Sequence, residues 1–177
     1  MIKIFLFSLI SFFCVQEEPT IAWHPNKALL WSDFKATPIE HHDVVAVTAS
    51  GLSFHYSTTR YSTGRIDYKF EVTAHFYPEK SWYDKDGVTD ITLDHERLHF
   101  DITELHARKF RKRVRDTKFS SNIDAEMDVI NVSMNEELRK MQQAYDLETQ
   151  HSRDPEKQME WQSYISKELD KMKAYAQ

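Results

Sequence analysis

Thr89-Asp90-Ile91-Thr92-Leu93-Asp94-His95-Glu96-Arg97-Leu98-His99-Phe100-Asp101-Ile102-Thr103-Glu104-Leu105 is where the chain changes its period. Upstream, residues alternate as in strands; from here on they recur as in helices. Asp86-Gly87 signals a turn, and Thr89 or Asp90 can cap a helix by accepting from a free amide of its first turn. Ile91, Leu98, Ile102, Leu105 and Phe110 then keep helical spacing, which predicts a helix from Thr89 to Val114. His95 and His99 share one face with Ile102 and so point inward. At i and i+4 they sit about one pitch apart, ~5.4 Å, close enough for one zinc at Zn–N ~2.0–2.1 Å. Glu96 adds the carboxylate that can take a proton from an attacking water. These residues predict a Zn2+ site with Glu96 as general base.

Upstream, Arg65 to Phe76 puts Ile66, Tyr68, Phe70, Val72, Ala74 and Phe76 on one face and Asp67, Lys69, Glu71, Thr73 and His75 on the other. That is a half-buried strand. Val44 to Tyr56 is a second β-rich stretch with Gly51 as a candidate bulge, and Tyr61-Ser62-Thr63-Gly64 is the turn between the two. Leu29 to Phe34 is a short apolar stretch before Pro38. Downstream, Ile123, Met127, Ile130, Met134, Leu138, Met141 and Tyr145 predict a second helix capped by Ser121 or Asn122. Asp154 and Pro155 open a third, carrying Met159, Trp161, Ile165, Leu169 and Met172. The expected fold class is α+β, an antiparallel sheet region followed by three helices.

The chain has 177 residues, 41% of them apolar and 13% aromatic, enough for one core. A net charge of −5 argues against a nucleic-acid partner. The basic run Lys109 to Arg115 reads as a cationic last turn with a solvated outer face, complementing the helix dipole. Lys3 followed by an apolar run to Val15 fits a secretory signal, too short to span a bilayer at ~20 residues. Residues 1–18 are therefore expected to be a signal peptide or lipoprotein signal, and 19–177 one domain. Cys14 is the only cysteine; the body has no disulfide, and the one expected membrane link is a lipid anchor at Cys14. The body is expected outside the cytoplasm, periplasmic or extracellular.

A catalytic zinc takes three protein ligands and keeps one open position. His106 lies seven residues beyond His99, ~10 Å further along a continuous helix, and is read as a surface or outer residue. Glu126 sits near the start of helix two, the far end of an antiparallel pair. The same antiparallel return carries Tyr145-Asp146-Leu147-Glu148-Thr149-Gln150-His151 back to the motif. His151 is the chosen third ligand, with Glu148 as the alternative. Tyr145 or Arg153 is the candidate donor to an oxyanion, and Asp146 a candidate for orienting a ligand histidine.

Trp31-Ser32-Asp33-Phe34, Lys80-Ser81-Trp82, His95-Glu96-x-x-His99-Phe100-Asp101-Ile102, Tyr145-Asp146-x-Glu148-Thr149-x-His151 and Gln158-x-x-Trp161 occur in that order. Together they resemble the bacterial domain of unknown function 922 family, described as secreted zinc-dependent proteases. The family usually has glycine where this chain has Ser152, and glutamine where it has Arg97. The resemblance implies a zincin-like metallopeptidase, exported, acting on a peptide or protein substrate. Two alternatives stand beside it: a hydrolase of non-peptide amides in cell-envelope material, and a non-enzymatic binding protein on a zincin-like frame. A purely structural site has no use for the base that Glu96 supplies.

Overall fold

The strand pattern folds as a long antiparallel hairpin. In the computed structural model, which describes residues 18–39 and 44–177, β3 (Ser50–Arg60) pairs with β4 (Ile66–Phe76) from Ser50↔Phe76 to Arg60↔Ile66. Gly64 closes the turn at φ 84°, a left-handed conformation that glycine adopts without a Cβ clash. β1 (Ile21–Ala22) adds on the other side of β4, giving the order β1-β4-β3. A second small sheet joins β2 (Ala46–Val47) to β5 (Trp82–Tyr83). Three helices follow: α1 (Asp90–Asp116), α2 (Ile123–Glu148) and α3 (Pro155–Lys171). The architecture is α+β, antiparallel strands followed by three helices. Among the described residues no helix is long and apolar enough to cross a membrane. The expected signal segment, with Cys14, lies outside the described residues up to residue 17.

The apolar face of β4 makes the core. Val72, Ala74 and Phe76 pack against Phe100, Ala107, Phe110 and Val114 of α1, and Ile123, Met127, Ile130 and Met134 of α2 close over them. Fully burying such a side chain is worth about 1.5–3 kcal/mol. A second cluster joins Leu98, Ile102 and Leu105 of α1 to Leu138 and Tyr145 of α2 and Ile165 of α3. It lies beneath the histidine pair and fixes the faces of all three helices there.

Three sequence expectations change. The β-rich stretch from Val44 to Tyr56 divides between β2 and β3, and Gly51 is not a bulge. It breaks at Thr48 and Ala49, where the Ala49 amide donates to Ser81 Oγ (2.9 Å) and Thr48 Oγ1 donates to the Glu96 carbonyl (3.2 Å). Gly51 stays in regular register with His75; its bare Cα makes room for the Tyr77 ring, which an added Cβ would meet at 3.3 Å. The basic run is not wholly solvated either. Arg111 is buried and donates to the Val72 carbonyl (2.7 and 2.9 Å), to the Tyr175 carbonyl (2.9 Å) and to Glu104 (3.2 Å). Glu104, which also pairs with Arg108 at 2.8 Å, supplies the counter-charge that allows this burial.

His106 is the third correction. It is buried in α1 rather than at the surface, and Nδ1 donates to the Ile102 carbonyl at 2.9 Å. Burial pushes its pKa down from 6.5 to about 4. The unfolded chain therefore takes up this proton first. The neutral imidazole's contribution is complete above pH 6.5 and is lost as pH falls toward 4, about 3 kcal/mol in all. Denaturant midpoints of wild type and His106→Gln, compared between about pH 7 and about pH 4.5, should show a shallower acid loss in the variant. Equal losses would remove His106 as the cause.

Candidate metal centre

The antiparallel return of α2 along α1 builds the site. Arg113 meets Glu137 (2.8 Å) near one end of the pair; at the other, the Tyr145 hydroxyl reaches the His95 carbonyl (3.4 Å). Thr89 starts α1 by accepting from the Thr92 amide, so His95, Glu96 and His99 fall in its second and third turns with rigid helix on both sides. His95 is 3% exposed and Glu96 4%.

Three ligand-type atoms converge. His95 Nε2 and His99 Nε2 are 3.2 Å apart, and Asp146 Oδ1 lies 3.1 Å from the first and 2.9 Å from the second. Among the described residues this is the group of histidine, cysteine and carboxylate side chains able to share an ion. Tetrahedral zinc with bonds of ~2.0–2.1 Å needs ligand–ligand edges of about 3.3 Å. The triangle matches that size, and two imidazoles with one carboxylate are a zinc-type donor set. Glu96 Oε2 is buried at the same cleft and has no hydrogen-bond partner among the described residues. A buried carboxylate oxygen left unpaired is costly and calls for a ligand or water.

The electrostatics follow from this crowding. Burial opposes ionisation of Asp146. Contact with His95 and His99, which donate to it and carry charge when their imidazoles are protonated, outweighs this and holds the carboxyl well below the usual carboxylate range. Burial likewise lowers the pKa of His99. The bond to Asp146, the charges of Glu96 and Asp146 and the contact with Gln142 prevail and raise it. In the metal-free protein a proton therefore competes for the place an ion would take.

The structure distributes the other candidate residues differently from their spacing in sequence. His151 is exposed and lines the cleft, with Nδ1 3.7 Å from Asp146 Oδ1; it lies beside the convergent trio. The antiparallel return is expected to bring the stretch from Tyr145 to His151 back to the motif. The helix in fact runs to Glu148, and Gln150, His151 and Ser152 then form a left-handed turn with φ of 50°, 53° and 70°. That turn folds the His151 amide back onto the Asp146 carbonyl at 2.9 Å. Ser152 takes a positive φ, a conformation that glycine adopts without a Cβ clash. Each such residue costs about 1–2 kcal/mol outside glycine. Glu148 accepts from Trp161 Nε1 at 2.9 Å, and Glu126 binds Ser120 at the far end of α2.

Tyr145 is fully buried, its ring stacked on His95 at 4.4 Å. Its hydroxyl donates to Gln158 Oε1 at 2.7 Å, and burial raises its pKa. Arg153 lines the cleft. Gln142, one turn before Asp146 on α2, was invisible to a search for ligands because an amide is not a ligand type. The faint sign of Gln158 was its place in the Gln158-x-x-Trp161 motif.

The cleft itself measures about 540 Å³. Val44 to Thr48, His151 to Arg153, His95, Glu96 and His99 of α1 and Gln142 and Asp146 of α2 are among the residues that line it. No curated protein and no solved structure matches the chain. Residues 30–152 match the family described as bacterial protein of unknown function (DUF922). That span carries His95, Glu96, His99 and Asp146, and it covers well over half of the 177 residues. The chain belongs to this family of bacterial proteins of unknown function (DUF922).

Proposed function

We propose that the protein is an exported zinc-dependent peptidase. The observation that carries this reading is Glu96. A buried carboxylate oxygen with no partner among the described residues stands in a cleft beside three convergent donor atoms, and a site built only to hold an ion would not need it. His95, His99 and Asp146 would hold the metal. A divalent cation there would make a water more acidic and polarise a carbonyl. Glu96 takes the proton of the attacking water at Oε2 and delivers it to the leaving amine. His151 and Arg153, which line the cleft, would present N–H groups to the developing oxyanion. Tyr145, its hydroxyl committed to Gln158, positions His95 instead. Export rests on Lys3 and the apolar run that ends at Val15.

The test is elemental analysis of the protein purified without chelators, followed by a panel of peptides and cell-envelope amides. About one zinc per chain and cleavage of peptides, both removed by a chelator and restored by zinc, are expected. Protein that holds no stoichiometric metal would defeat the reading. Loaded protein that cleaves only the non-peptide amides would transfer it to the cell-envelope alternative.

A further inference from the structure

Each site histidine turns its second nitrogen to a glutamine, and the two glutamines come from different helices. His99 Nδ1 meets Gln142 Oε1 of α2, and His95 Nδ1 meets Gln158 Oε1 of α3 at 3.1 Å. The orientation of Gln142 is set by its other end. Nε2 donates to the His99 carbonyl (2.9 Å) and to Thr103 Oγ1 (3.2 Å), so Oε1 is the atom left for the ring. Around His95 the hydroxyls agree. Tyr145 donates to Gln158 Oε1, and Thr149 gives its one hydroxyl proton to the Tyr145 carbonyl at 2.7 Å. Thr149 Oγ1 therefore has only lone pairs to offer His95 Nδ1, 3.5 Å away. With Gln158 in this orientation, which leaves its Nε2 buried and without a partner among the described residues, both rings face acceptors at Nδ1 and donate there.

A neutral imidazole has one N–H. If that proton is on Nδ1 in both rings, both Nε2 atoms present bare lone pairs to each other and to Asp146 Oδ1. Three acceptors within 3.2 Å then have no proton among them, an arrangement that a cation relieves. We propose that Gln142 and Gln158 are positioning residues that lock His99 and His95 in the Nδ1–H tautomer, so that the trio with Asp146 is preset to take a divalent cation. This gives the Gln158-x-x-Trp161 motif its purpose. Gln158 holds both the ring of His95 and the phenol stacked on it, while Trp161 packs on Tyr145 at 5.3 Å and ties Glu148. The proposal rests on the metal-site reading above and extends it to α3, beyond the span matched by the family.

The test has two parts, each on the full chain. Imidazole nitrogen NMR of the zinc-free protein, at a pH that keeps both rings neutral, should show His95 and His99 protonated at Nδ1. Protons at Nε2 instead, with the Gln158 amide turned over so that Nε2 donates to His95, would overturn the proposal. Zinc affinity should then fall by about 10–100-fold in Gln158→Met and in Gln142→Met, which keep length but lose the acceptor. Gln158→Glu, which keeps an acceptor, should restore binding to within a few-fold of wild type. Folded methionine variants that bind zinc as tightly as wild type would also overturn it. Should one variant fail to fold, the other glutamine and the wild-type tautomer still decide. A wild type that takes up no zinc would instead defeat the peptidase reading, and the NMR result separates that failure from this one.

Discussion

Glu96→Gln should bind zinc like wild type and lose peptide hydrolysis by about 10²–10⁴-fold, the usual contribution of a positioned base. The substitution keeps the shape of the side chain. Glu96 is not among the three atoms that converge, so the metal has no direct reason to leave. The backbone link from Thr48 to the Glu96 carbonyl is untouched, and with it the wall of the cleft. What is lost is the basic oxygen. Oε2 has no partner among the described residues, and an amide in its place cannot accept a proton from water. The measurement is zinc content alongside steady-state cleavage of whichever peptide the wild type turns over. A variant that keeps near-wild-type rates would show that Glu96 is not the base. One that loses zinc as well would show that the carboxylate serves the ion directly.

Asp146→Ala should weaken zinc binding by more than the ~10–100-fold typical of an outer partner, and His151→Ala should change it only a few-fold. Asp146 Oδ1 lies within 3.1 Å of both Nε2 atoms, whereas His151 approaches only Asp146, at 3.7 Å, from an exposed position. Removing Asp146 leaves two imidazoles, and two protein ligands rarely hold a catalytic ion. Competition with a chromogenic chelator measures both constants. The reverse ranking, with His151→Ala losing the ion and Asp146→Ala retaining it, would make His151 the third ligand and the left-handed turn its mobile arm. His151→Ala is also expected to lower turnover while zinc stays bound, since the side chain lines the cleft that substrate must enter.

Local rules account for much of the architecture. Period-2 alternation over Ile66–Phe76 needs only one buried face to become a strand, and β4 buries Val72, Ala74 and Phe76 as the alternation requires. Thr89 and the Asp154-Pro155 pair act within one helical turn, so the starts of α1 and α3 are readable directly. The approach of His95 to His99 is equally local, because an i and i+4 pair on one helix cannot avoid it. Even the return of α2 to the motif follows from two long helices joined by a short connection.

Other features depend on atoms far apart in sequence. Arg111 looks like part of a solvated basic run until the Val72 and Tyr175 carbonyls, 39 and 64 residues away, take its protons. His106 looks superficial until the second core cluster closes around that stretch of α1. The sequence favours His151 as third ligand over Glu148 and gives Asp146, five residues earlier, only an orienting role. Three consecutive positive φ angles and the point where α2 ends decide which faces the pair. The sequence by itself determined the long hairpin, the three helices, the facing histidines and the glutamate beside them, because each depends on periodicity or on neighbours within a turn. Only the tertiary structure decided that Asp146 meets both Nε2 atoms and that glutamines from α2 and α3 meet both Nδ1 atoms. Those contacts span 43 to 63 residues of chain and exist only once three helices have packed.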